Sequence, residues 1–165
     1  MINKFTGKAW KYGDNINTDV IFPGKYTYQK MEPEEMAGHA LEDLDPDFTS
    51  KVNPGDILVA GKNFGMGSSR EQAATAVKYA GIRVIIAKSF ARIYFRNAIN
   101  AGMPAIKSPE AVDAIEDGEG ISVDMARGEI ITSKGTFTFP PYPDTVMKIL
   151  EKEGLINFVK STITG

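Results

Sequence analysis

The sequence predicts an α/β fold in which a parallel sheet core carries an added antiparallel part. Three observations predict it. Two wholly apolar runs, Ile57-Leu58-Val59-Ala60 and Val84-Ile85-Ile86-Ala87, read as strands buried on both faces. Each is followed by a helical stretch that a glycine ends, about Arg70 to Ala80 before Gly81 and Phe90 to Asn100 before Gly102. Pro104-Ala105-Ile106 supplies a third, shorter strand, so two strand–helix–strand crossovers stand in a row.

The other elements follow in order. Gly7 to Tyr12 reads as a short strand. Gly13 to Asp19 is rich in Gly, Asn and Asp and reads as a loop. Val20-Ile21-Phe22 is too short to assign, and Pro23-Gly24 breaks it. Residues 25–31 form a loop rich in Lys and Tyr. Pro33, followed by Glu34 and Glu35, opens a helix to about Leu41. Asp45-Pro46-Asp47 and Asn53-Pro54-Gly55-Asp56 are turns. After Lys107 the apolar period changes to two. Ile121 to Met125, Glu129 to Thr132 and Thr136 to Phe139 are expected as an antiparallel meander. Asp144 is expected to cap a helix that runs to about Lys152. No linker demands a second domain, so residues 1–165 are read as one unit.

Composition narrows the chemistry. The chain is 42% hydrophobic and 24% charged, with a net charge of −2. That excludes a strongly basic nucleic-acid binder and a long acidic tail. There is no cysteine, which excludes disulfides and any zinc or iron–sulfur site on this chain's own thiolates. The one histidine, His39, leaves little for a histidine metal site or base. The first eight residues lack a signal-peptide run, and no stretch of about 18 apolar residues exists to cross a membrane. A cytoplasmic protein is the expectation.

The segment Gly65-Met66-Gly67-Ser68-Ser69-Arg70-Glu71-Gln72 carries the chemistry. It joins the end of a buried parallel strand to a helix, where open α/β sheets bind ligands. Helix starts present unpaired N–H groups and a positive dipole end, and Arg70 adds a fork for a carboxylate. A Walker-type phosphate loop would need Lys before the serine. A dinucleotide fingerprint would need a third glycine where Arg70 stands. The expected guest is therefore a carboxylate rather than a nucleotide. A plainer reading stands beside it: Ser68 and Glu71 have the spacing of a capping box.

Two longer stretches carry a resemblance. Residues Ile57 to Ala74, which include Lys62-Asn63-Phe64-Gly65-Met66-Gly67-Ser68-Ser69-Arg70-Glu71-Gln72, and then Ala87-Lys88-Ser89-Phe90-Ala91-Arg92-Ile93, resemble the swivelling C-terminal domain of the aconitase superfamily. The upstream Asp14-Asn15-Ile16-Asn17-Thr18-Asp19 and the chain length resemble the small subunits of its two-subunit branch, the 3-isopropylmalate dehydratases. The resemblance covers roughly residues 7 to 106. It implies a three-layer β/β/α swivelling domain. It also implies a hydro-lyase that interconverts 2- and 3-isopropylmalate by dehydration and rehydration, a step of leucine biosynthesis. A large partner subunit would hold a [4Fe–4S] cluster, and this chain would hold no cofactor or metal. By the same resemblance Ser68 is the base that removes the carbon-bound proton, and Ser69 and Arg70 hold a substrate carboxylate. Asp19 with Thr18 orients polar groups.

A serine hydroxyl becomes a base only if its alkoxide is stabilised. A helix N-terminus supplies up to about 2 kcal/mol. A guanidinium at about 4 Å adds on the order of 4 kcal/mol at an effective dielectric of about 20, before desolvation. These together fall short of a neutral-pH alkoxide, so the chain alone is expected to be inert. Tyr26-Thr27-Tyr28-Gln29 aligns with the family's specificity loop, where relatives acting on homoaconitate-like substrates resemble one another in carrying an arginine. This chain has no arginine before Arg70, and Tyr26 and Tyr28 suit an alkyl group. Dimethylmalate, citramalate or homoaconitate types are the alternative substrates, and a non-catalytic carboxylate-binding module is the alternative class. His39 is read as a solvated or interface residue. Arg92 and Arg96, with Asn97 and Asn100, are read as structural or interface groups.

Overall fold

The computed structural model describes residues 4–164, so Met1 to Asn3 of the N-terminal reading, and Gly165, lie outside the described residues. The strands are β1 (Lys4–Lys11), β2 (Ile57–Ala60), β3 (Val84–Ala87), β4 (Ala105–Lys107), β5 (Gly120–Asp124), β6 (Glu129–Thr132) and β7 (Gly135–Thr138). They form one mixed sheet in the order β4-β3-β2-β1-β5-β6-β7. The helices are α1 (Thr18–Ile21), α2 (Pro33–Ala37), α3 (Phe48–Lys51), α4 (Gln72–Ala80), α5 (Arg92–Asn100), α6 (Pro109–Ala114), α7 (Asp144–Glu151) and α8 (Leu155–Thr164).

β1 belongs to both halves of the sheet. Its end, Ala9 to Lys11, pairs in parallel with Ile57 to Val59. Its beginning, Lys4 to Lys8, pairs antiparallel with Gly120 to Asp124. β2 and β3 continue the parallel half to β4, and β6 and β7 continue the antiparallel half. The alternation of side chains along a strand then sorts the core into two. Ile57, Val59, Val84 and Ile86 pack with Ile121, Val123, Ile130 and Phe139 from the antiparallel half. Leu58, Ala60, Ile85 and Ala87 pack with Ala73, Ala76 and Val77 of α4 and with Tyr94 and Ala98 of α5. Antiparallel strands, parallel strands and helices are thus the three layers of the β/β/α arrangement. The apolar runs of β2 and β3 are buried throughout because both faces are covered.

Several boundaries differ from the sequence reading. The loop expected over Gly13 to Asp19 ends in α1, because Asn17 Oδ1 accepts the Val20 N–H at 2.9 Å and caps that turn. α4 begins at Gln72 and α5 at Arg92, each two residues later than expected. The helix opened by Pro33 closes at Ala37. Asp144 is the first helical residue and not a cap; Pro143 holds the cap position, and the Asp144 carboxylate acts only through the helix dipole. α3, α6 and α8 were not anticipated. α6 does carry a start signal, Ser108 before Pro109, and the Ser108 hydroxyl accepts the Ala111 N–H. No helix among the described residues is long and apolar enough to cross a membrane.

Candidate active site

The site is built where β1, β2 and β3 end, from three loops joined through their backbones. The Gly61 N–H bonds the Gly13 carbonyl at 3.0 Å, Asn15 N–H the Lys62 carbonyl at 2.7 Å, Gly65 N–H the Ile16 carbonyl at 2.8 Å and Thr18 N–H the Met66 carbonyl at 2.9 Å. On the other side Phe64 N–H reaches the Ser89 carbonyl at 3.1 Å, and Ala91 N–H returns to the Phe64 carbonyl at 2.9 Å. These bonds satisfy the loop's polar backbone, so it holds one shape. Gly65 is required there. Its φ is +84°, and a Cβ would lie 2.2 Å from the Tyr94 ring. Tyr94 is fully buried, with its hydroxyl donated to the Ala73 carbonyl at 3.1 Å.

A cleft of about 250 Å³ opens on this platform. Thr18, Ser68, Ser69 and Arg70 line it together with Arg92, Ile93 and Asn97 of α5. Ser68 and Ser69 are exposed, and neither hydroxyl has a hydrogen-bond partner among the described residues. Arg70 is buried. Its Nη2 donates to Asp19 Oδ1 at 2.9 Å and its Nη1 to Thr27 Oγ1 at 3.0 Å. Its Nε is buried with no partner. An unsatisfied donor in such a place costs about 1–3 kcal/mol; capacity for an anion rests on Nη1 and Nη2, each of which carries a second N–H beyond its bond to Thr27 or Asp19. Gln72 Nε2 donates to the Thr27 carbonyl at 3.2 Å, which ties the same turn to the start of α4.

The capping box does not form. Glu71 sits at the cap position of α4 and makes no side-chain cap bond. Ser68 lies four residues before the first helical residue, Gln72, and the dipole's effect fades within a turn. Asp19 also offsets the charge of Arg70. The Ser68 hydroxyl therefore receives less support than sequence spacing suggested.

The four residues of the loop 26–29 separate. Tyr26 stacks on His39, ring centroids 4.1 Å apart, and donates its hydroxyl to Glu42 at 3.1 Å. Thr27 touches Arg70. Tyr28 is 100% exposed. The Gln29 side chain donates to the Lys25 carbonyl at 3.5 Å and its backbone N–H to the Tyr26 carbonyl at 3.1 Å. His39 is half-buried with Nδ1 2.8 Å from Glu42 Oε1, and that bond is the first cause that holds the Glu42 carboxyl below its ordinary value. Arg92 and Asn97, read from the sequence as structural or interface groups, line the cleft together with Ile93, which sequence reasoning did not single out. Their signal was position, since α5 follows the end of β3 as the glycine-rich loop follows β2. Among the described residues no group of three or more His, Cys, Asp or Glu side chains could hold a metal ion.

Residues 4–111 match the family described as the aconitase C-terminal domain. The 3-isopropylmalate dehydratase small subunit of Caldanaerobacter subterraneus subsp. tengcongensis is 54% identical over 159 residues, which cover 95% of this chain and 98% of that one. A small subunit 2 of the same enzyme from Archaeoglobus fulgidus is 48% identical, covering 95% of each chain. The crystal structure of 3-isopropylmalate dehydratase from Methanocaldococcus jannaschii superposes with a TM-score of 0.91 at 42% identity, covering 98% of this chain and 96% of that one.

The chain belongs to the 3-isopropylmalate dehydratase small-subunit family.

The aconitase domain match ends at residue 111, whereas the likeness to the small subunits extends across nearly the whole chain. The antiparallel strands β5 to β7 and the helices α7 and α8 therefore belong to the small-subunit fold. The region beyond Lys107, which carried little of the sequence resemblance, is part of what the family shares.

Proposed function

We propose that the chain is the small subunit of a hydro-lyase that interconverts 2-isopropylmalate and 3-isopropylmalate in leucine biosynthesis, working in the cytoplasm with a large partner subunit. The observation that carries this is the cleft itself: two unpartnered serine hydroxyls beside a buried arginine whose terminal nitrogens each keep a further N–H, in a chain whose relatives carry that enzyme's name. A [4Fe–4S] cluster fits no residue set here, because the chain has no cysteine and one histidine engaged by Glu42. We assign the cluster to the large subunit, where it would act as a Lewis acid on the substrate's hydroxyl group.

On this chain's side, Ser69 and the free donors of Arg70 bind one substrate carboxylate. Ser68 Oγ, as alkoxide, takes the proton from the substrate carbon while the neighbouring carbon loses hydroxide. This gives isopropylmaleate, hydroxide and a protonated Ser68; return of that proton to the hydroxide makes water and restores the alkoxide. Readdition of water with the proton and hydroxyl exchanged between the two carbons yields the isomer. Thr18 and Asp19 position Arg70 and the loop that carries Ser68. The alkoxide gains little from α4 in the free chain. Closure by the partner must exclude water and raise the local field before Ser68 can act.

Substitution tests these roles. Ser68→Ala in the assembled enzyme is expected to lower kcat by about 10²- to 10⁴-fold, the range for a positioned acid–base group. Its thermal midpoint should match the parent, because Ser68 caps no helix. An active Ser68→Ala enzyme would exclude the role.

A further inference from the structure

We infer that Arg92 is a second carboxylate anchor of the cleft and that it sets the requirement for a substrate with two carboxylates. The inference rests on the function proposed above and extends it to a residue outside the serine–arginine loop. Arg92 is the first residue of α5 and lines the same cleft as Ser68, Ser69 and Arg70. It is exposed, and its guanidinium makes no ion pair or hydrogen bond among the described residues. Arg70 is the opposite case, buried and committed on both terminal nitrogens to Thr27 and Asp19. One arginine is thus built in and partly neutralised, and the other stands free at the same cavity. The backbone fixes where Arg92 starts, since the Ala91 N–H is bonded to the Phe64 carbonyl at 2.9 Å. Ala91, at the cap position of α5, offers no side-chain acceptor to the helix start. An anion at Arg92 would meet that uncapped end as well. Arg96, one turn later on the same helix, is exposed but lies outside the cleft.

A dicarboxylate bridging Arg70 and Arg92 would be oriented at both ends, and one flat fork at each end accounts for arginine rather than lysine. The partner subunit could use Arg92 instead, as an interface charge, and the test separates the two.

The experiment uses the two-subunit enzyme, with Arg96→Met as the control. Wild-type turnover of 2-isopropylmalate tests the proposed function by itself and is measured first. Arg92→Met is then expected to raise KM for the isopropylmalates roughly 10- to 100-fold, the loss of one charge-assisted contact. The thermal midpoint and the affinity for the large subunit should stay at the wild-type values, and Arg92→Lys should recover part of the loss. Two monocarboxylate inhibitors decide the assignment, 2-hydroxy-4-methylpentanoate and 2-(hydroxymethyl)-3-methylbutanoate. Each is 3-isopropylmalate without one of its carboxylates. Arg92→Met should weaken only the inhibitor that keeps the carboxylate held at Arg92. Equal loss for both inhibitors, no change in KM, or weakened subunit assembly with KM unchanged would each overturn the inference.

Discussion

Gly65 shows how narrowly one residue defines the site. Its φ of +84° and the Tyr94 ring 2.2 Å from any added Cβ act together. Gly67 has a comparable φ of +99°, but its nearest neighbour, Thr18 Oγ1, lies 3.4 Å away. Gly67→Ala should therefore carry only the conformational cost, about 1–2 kcal/mol, whereas Gly65→Ala adds overpacking of about 1–3 kcal/mol against a buried ring. Urea unfolding followed by the fluorescence of Trp10, the one tryptophan, would measure both. Equal losses would contradict the steric account. At this scale the sequence was legible where a motif is contiguous. Ser68, Ser69 and Arg70 were found in one segment, and Thr18 and Asp19 in another that the fold brings against it. Arg92 and Arg96, one turn apart, were read together as structural or interface groups, because spacing alone does not distinguish them. Only the position of the β3 end shows that the first faces a cavity and the second does not.

Among the elements, the segment 24–29 is tethered by side chains to α4 and to Glu42, with Gln72 also bonded to the Thr27 carbonyl. Thr27 joins it to Arg70, and Tyr26 joins it to Glu42. The Glu42 carboxyl is held below its ordinary value of 4.5, first by the bond from His39, with burial opposing and the Tyr26 hydroxyl and Lys25 assisting. A lowered folded value means that Glu42 stabilises the fold above its ordinary value. That contribution is lost as the pH falls through the folded value. Glu42→Gln should flatten the acid side of the stability curve from about Glu42's ordinary value of 4.5 downward and leave its slope near neutrality unchanged. Urea midpoints across that range would show it, and an unaltered acid limb would remove Glu42 from the account. The strongly periodic elements were readable in advance, β2 and β3 from unbroken apolar runs and β5 to β7 from alternation. The short helix α3 has four residues, too few for any periodic signal. The start of α5 shifted because Ala91 is held extended, its N–H bonded to the Phe64 carbonyl, whereas α4 is preceded by a turn in which Glu71 already has helical dihedrals.

On the scale of the whole molecule, β1 is the element that makes one sheet into two layers, because its two halves pair in opposite senses. The helical layer then leaves the ends of β1, β2 and β3 uncovered, and the cleft forms there. Arg70 and Arg92 line it, Ser68 lies four residues before the first helical residue of α4, and the chain has no cysteine for a cluster. Half of an active site is the reading that joins these facts, with the other half on the large subunit. The most direct measurement is steady-state turnover of 2-isopropylmalate by this chain alone, by the cluster-bearing subunit alone and by their mixture. Turnover is predicted only in the mixture, rising with this chain's concentration to saturation. Turnover by the lone chain, or none in a mixture whose cluster is intact and whose subunits bind, would contradict the account.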